Sequence, residues 1–106
     1  MALSTGVELM LLIYDKKGFD ILLRLDIHSL VGADLRNAKL RDANLVQVDL
    51  RQADLRGADL VGADLRLADL RGADLRGAQI FGALFQNALV DGVRWDTPPE
   101  IKGPGF

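Results

Sequence analysis

The chain has 106 residues, with 13 Lys and Arg against 15 Asp and Glu, one His and no Cys, for a formal net charge of −2. That length sets a single domain whose ordinary globular core would be marginal. The charge balance gives no general argument for nucleic acid or an anionic membrane as partner, and the missing cysteines remove disulfide and thiolate chemistry.

The opening Met1-Ala2-Leu3-Ser4-Thr5-Gly6-Val7-Glu8 carries no basic signal-peptide segment, and Glu8 interrupts its apolar character. The apolar run from Leu9 to Tyr14 is far shorter than the ~20 residues of a membrane helix. The expectation is a cytoplasmic chain without membrane insertion. Thr5 and Glu8 have capping-box spacing, in which each side chain satisfies a free amide at a helix start. Lys16 and Lys17 suit a helix C-terminus, and Gly18 is a natural stop. These signals predict a short helix near residues 5–17. It is apolar on too many sides to stand in water, so it is expected to cover the open end of a repeat core formed by the rest of the chain. Residues 1–22 thus read as a helical cap and transition. From Phe19 to His28 the pattern is mixed: Leu23 and Leu25 suit a five-residue register, whereas Gly18 and Asp20 do not.

From Ser29 onward one interval dominates. Leu35, Leu40, Leu45, Leu50, Leu55, Leu60, Leu65, Leu70 and Leu75 recur every five residues, and a small residue sits two positions before each. Neither a helix (period 3.6) nor a strand (period 2) yields five, so the unit is one side of a multi-sided coil. Alternation sends the small residue and the Leu inward and their neighbours outward. Gly32, Gly57, Gly62, Gly72, Gly77, Gly82 and Gly92 close their units, where a corner needs unusual backbone angles. The register continues through larger centres at Ile80, Phe85, Val90 and Trp95, which suggests a plugged or widened end. Pro98 and Pro99 cannot continue a hydrogen-bonded ladder, so the repeat is placed at 23–97 and a tail at 98–106.

The runs Ala53-Asp54-Leu55-Arg56-Gly57, Ala58-Asp59-Leu60-Val61-Gly62 and Ala73-Asp74-Leu75-Arg76-Gly77 resemble the A-(D/N)-L-x-x units of pentapeptide-repeat proteins. The resemblance implies an all-β solenoid: a right-handed quadrilateral β-helix with four pentapeptides per coil. Its 3–4 coils would rise about 17 Å at ~4.8 Å each. Leu35, Leu55, Leu75, Phe85 and Trp95 are then the structural core. A Trp-Pro-like ending is also similar to that family.

A repeat of twenty residues stacks Asp34, Asp54 and Asp74 on one face, with Arg36, Arg56 and Arg76 beside them. Asp49 and Asp69 with Arg51 and Arg71 occupy the preceding face. These stripes read either as a self-paired solvated surface or as a docking surface for a complementary partner. Val61, Phe81, Leu84, Leu67 and Leu89 are outward by register and cluster toward the C-terminal coil. They are covered by the tail, or they form a homodimer or partner interface through Phe81 and Leu84.

No catalytic constellation emerges. His28, the sole histidine, falls on an inward position where a structural role is expected. No metal-ligand cluster, serine–histidine pairing or phosphate loop is evident, so no cofactor is expected. Some members of the resembled family are thought to mimic duplex DNA and bind type II topoisomerases. Such mimicry needs a strongly negative rod, and this repeat is neutral and arginine-rich. The expected role is a non-enzymatic protein-interaction or scaffold module, with protein partners and no nucleic acid.

Overall fold

The computed structural model describes residues 11–25 and 29–96. From Leu30 to Trp95 the backbone turns a corner every five residues. Each corner is closed by a hydrogen bond of one kind, such as Ala33 N–H donating to the Leu30 carbonyl at 3.1 Å and Ala58 N–H to Leu55 at 3.0 Å. The second corner residue takes a positive φ throughout, from 59° at Asn37 to 75° at Gly92, the signature of type II turns.

Between corners the chain is extended, and each outward residue before a centre bridges its equivalent twenty residues on. Asp34, Asp54, Asp74 and Arg94 form one parallel column; Lys39, Asp59 and Gln79 the next; then Asn44, Asp64 and Leu84; then Asp49, Asp69 and Leu89. The bridge is a main-chain exchange: Leu35 N–H donates to the Asp54 carbonyl at 2.8 Å, and Asp54 N–H to Ala33 at 2.9 Å. The coil therefore has four sides. In chain order the first is centred on Leu30, Leu50, Leu70 and Val90, and the second on Leu35, Leu55, Leu75 and Trp95. The third is centred on Leu40, Leu60 and Ile80, and the fourth on Leu45, Leu65 and Phe85.

The interior is two nested ladders. Leu40, Leu50, Leu55, Leu60, Leu65 and Leu70 are fully buried, as are Ala43, Ala58, Ala63, Ala68 and Ala73. Small residues let opposite walls approach while the leucines fill the space between. In the last coil Phe85 and Trp95 cross the interior edge to face, with centroids 5.6 Å apart, and fill that end. Phe85 is buried and Trp95 half-buried. Asp96 then leaves the path. Gly57 N–H donates to the Arg76 carbonyl one coil on, whereas Gly77 N–H donates to the Asp96 carboxylate at 2.5 Å. A side chain there replaces a main-chain acceptor.

The N-terminal helix expected near residues 5–17 is not formed over its described part. Residues 5–10 lie outside the described residues, as does His28. Leu11–Tyr14 is strand β1 and Ile21–Leu25 is strand β2, paired antiparallel as a hairpin with an irregularity between Ile13 and Tyr14. Leu23 accordingly pairs with Ile13 and does not begin the solenoid. Lys16, Lys17 and Gly18 belong to the hairpin loop, where the Asp15 carboxylate accepts from the Gly18 and Phe19 amides at 2.9 and 3.1 Å. An edge strand of the first coil supplies what a helix cannot use. Asn44 N–H donates to the Tyr14 carbonyl at 2.8 Å, and Lys16 N–H to Asp42 at 2.9 Å. Ile13, 3% exposed, turns into the core as the stopper, while Leu12 and Tyr14 on either side face out. The hairpin covers the open edge that the helix was expected to cover.

Leu67 is the one aliphatic side chain among the left-handed corner positions (φ 64°), and it is 51% exposed. Leu67→Asn should stabilise the fold by about 0.5–1 kcal/mol, read as a higher urea midpoint, because asparagine tolerates this region better. Ile13→Asp should instead cost several kcal/mol, roughly 2–5, by placing a carboxylate in the stopper position. An unchanged unfolding midpoint for Ile13→Asp would refute the hairpin's role as the cap.

Candidate protein-interaction faces

The repeat puts Asp one place before a centre and Arg one place after it, on either side of an inward leucine. Both side chains therefore emerge on the same wall, close enough to close a ring. Asp54 Oδ1 accepts from the Arg56 main-chain N–H and from Nε at 2.8 Å, while Oδ2 accepts from Nη2 at 2.6 Å. The same three-point clamp joins Asp34 to Arg36, Asp49 to Arg51, Asp64 to Arg66, Asp69 to Arg71 and Asp74 to Arg76. Each of three arginines also leans on the aspartate of the following coil: Arg36 Nε lies 4.0 Å from Asp54, Arg51 3.8 Å from Asp69, and Arg56 3.8 Å from Asp74. The stripes are thus continuous zippers of alternating charge.

These partners hold the carboxyls ionised. The Arg36 guanidinium, followed by the Arg36 amide, draws Asp34 down to about 2, and Arg76 does the same for Asp74. Asp49, Asp54, Asp64 and Asp69 are lowered mainly by their clamped arginines. Asp59 is lowered first by the Val61 amide and then by Arg41, whose Nε reaches it from the previous coil at 3.1 Å. Asp64 is 6% exposed, with Asn44 and Leu84 in its column.

Each candidate residue has a definite address. Arg36, Arg56 and Arg76 stack on the corner between the second and third sides, half-exposed and clamped. Val61 and Phe81 stack on the corner between the third and fourth, where Phe81 is 85% exposed and Val61 partly covered. Leu84 lies past that corner on the fourth side and shares a shallow hollow with Val46, Arg66, Leu67, Gln86 and Asn87. Leu89 sits on the first side in the column of Asp49 and Asp69. The outward apolar residues therefore spread over three walls; Leu84 and Leu67 line one hollow, and Leu89 lies on another side. Leu35, Leu55 and Leu75 line the second side from within. Sequence reasoning missed Phe19, 83% exposed in the hairpin loop; a hairpin reading of Asp15 to Asp20 would have placed it there. Among the described residues no three His, Cys, Asp or Glu side chains converge as metal ligands. No helix among them is long and apolar enough to cross a membrane.

Because these aspartates titrate lower in the fold than in the free chain, their stabilisation is complete above the ordinary value of ~3.9 and disappears as the pH falls toward the folded one. The thermal midpoint, followed by circular dichroism, should be flat between about pH 8 and 5 and fall below about pH 4. A midpoint that stays level to about pH 2 would mean that the clamps do not stabilise the fold.

A family model for pentapeptide repeats matches in 8 copies, over residues 29–57 and 49–87. Among solved structures, the pentapeptide repeat protein Rfr23 from the cyanobacterium Cyanothece 51142 is 28% identical over 61% of this chain and 55% of its own, with a TM-score of 0.23. The pentapeptide repeat protein alr5209 from Nostoc Pcc 7120 is 29% identical over 60% of this chain and 85% of its own, with a TM-score of 0.21. The chain thus spans about half the length of Rfr23. No curated protein matches. The family match extends over more than half of the chain, and on it the protein belongs to the pentapeptide-repeat family.

Proposed function

We propose that the chain is a non-enzymatic protein-interaction or scaffold module, working in the cytoplasm with its coil wound right-handed as the family resemblance implies. The observation that carries this reading is the corner formed by Val61 and Phe81, where a ring 85% exposed is held on a close-packed rod. An exposed aromatic on a rigid support is a natural anchor for a partner, since little freedom is lost when it is buried. The carboxylates support a non-catalytic reading. Those clamped by arginine are held well below neutrality, as Asp34 and Asp74 are at about 2, a poor setting for general acid or base work. Phe81 stands on that corner and Leu84 just past it in the same coil, which suits a homodimer through that end.

The DNA-mimicking, topoisomerase-binding role is less well supported, because each acidic column is interleaved with arginines and a mimic needs an uninterrupted negative surface. Light scattering after size exclusion should give a dimer mass for the parent and a monomer mass for Phe81→Asp. Capture from the native host should lose partners with Phe81→Asp or with Arg56→Glu/Arg76→Glu. An unaltered mass and an unaltered set of captured proteins would refute these surfaces. Inhibition of DNA supercoiling would favour the mimicry role instead.

A further inference from the structure

From Asp34 to Asn87, each amide that follows an aspartate or asparagine donates to a main-chain carbonyl. Leu55 N–H, after Asp54, donates to Asp74 at 2.8 Å, and Ala43 N–H, after Asp42, closes its corner on Leu40 at 3.1 Å. Asp91 breaks this pattern. Gly72 N–H donates one coil on, to the Asp91 carbonyl at 3.0 Å, but Gly92 takes the same corner place in the last coil. Its N–H makes no hydrogen bond among the described residues. Asp91 and Gly92 are both exposed, and Asp91–Gly92 is the one Asp–Gly pair in the sequence. No arginine clamps the Asp91 carboxylate as Arg71 clamps Asp69. An amide nitrogen can attack the carboxyl beside it only by turning out of its ladder, which breaks a hydrogen bond and orphans a carbonyl. Gly92 has no such bond to break and no Cβ to crowd the nitrogen.

We propose that Asp91 is a site of spontaneous isoaspartate formation, and that the change loosens the end of the solenoid. The reacting form is the carboxylic acid. The Gly92 nitrogen bonds to Asp91 Cγ and loses its proton as the carboxyl hydroxyl departs, so that one water leaves and a succinimide ring closes. Water then opens the ring. Opening at Cγ restores aspartate, whereas opening at the main-chain carbonyl leaves the chain running through the side chain, with no net gain or loss of atoms. The main chain is then one carbon longer inside a corner that Val93 N–H closes on the Val90 carbonyl at 3.1 Å. Three contacts follow that corner directly: Arg94 N–H on the Ala73 carbonyl at 3.0 Å, Trp95 against Phe85, and the Asp96 carboxylate on Gly77 N–H. All three depend on where the corner delivers the chain.

The test ages the full chain in mildly acidic buffer, where some carboxylic acid is present and the fold is intact. The tryptic peptide 77–94 should split into two species of equal mass, with fragmentation placing the isoaspartate at position 91. Its fraction there should exceed that at any other described aspartate by about tenfold or more. Asp91→Glu should abolish it. A matched pair separates structure from sequence. Phe81→Asp and Val61→Asp each create an Asp-Gly-Ala run in one corner column. Gly62 N–H donates to the Phe81 carbonyl at 2.9 Å, whereas Gly82 N–H has no acceptor among the described residues. Phe81→Asp should therefore gain a second isomerising site, and Val61→Asp should not. Should Val61→Asp unfold, Arg56→Asp makes the same comparison, because Gly57 N–H donates to the Arg76 carbonyl at 3.1 Å. Emission from Trp95, the single tryptophan, should move to the red in the aged parent and not in aged Asp91→Glu. The proposal is overturned by any of three results: no isoaspartate at Asp91, equal amounts at the other aspartates, or equal rates in Val61→Asp and Phe81→Asp. Unmoved Trp95 emission in isomerised protein would overturn the loosening.

Discussion

Everything in this protein depends on a corner repeated every five residues, at which the backbone enters the left-handed region. Glycine enters it freely, and other L-residues at a cost of about 1–2 kcal/mol. The chain meets the requirement unevenly. Gly57, Gly62 and Gly72 take the corner beneath or above side chains that occupy the room a Cβ would need: those of Asn37, Asp42 and Gln52, one coil earlier. Polar side chains that tolerate the conformation are thus laid over bare glycine. The corner between the fourth and first sides has no such relief. Gln47, Leu67 and Asn87 stack there with φ between 61° and 64°.

Given the corners, the remaining interactions are set by register. Twenty residues return the chain to the same wall, where main-chain groups pair with little freedom to slip. Charged side chains then fall into columns and would repel at strand spacing. The three-point clamp answers this within each pentapeptide, and the next coil's aspartate adds a second, longer contact. These clamps are exposed and individually modest. Their larger effect is to hold each guanidinium against its own aspartate.

Much of this was legible in the sequence. The leucine interval marked the inward positions, and the spacing of aspartate and arginine around each leucine placed both on one wall. Glycine alone was a poor guide to the corners, because Asn37, Asp42 and Gln52 occupy the same place in the period and adopt the same φ. The helix expected at the start failed for an identifiable reason. Leu11, Leu12, Ile13 and Tyr14 form a continuous apolar run that periodicity cannot divide between helix and strand, and helix-ending residues at 16–18 serve a hairpin loop equally well. What decided between them was an unpaired coil edge at Ala43 and Asn44, about thirty residues further along the chain, which no local pattern reveals.

The uniform step of twenty residues has a consequence for how the molecule assembles. In most folds some contacts join near neighbours and others join distant ones, so chain entropy ranks the order in which they form. Here each coil closes a loop of one length onto the coil before it, and no wall is favoured over another. The hairpin breaks that degeneracy, because β1 and β2 close a loop of only a few residues. A repetitive chain with interchangeable coils therefore carries one local landmark, at Ala43 and Asn44, from which the register of every later coil can be counted.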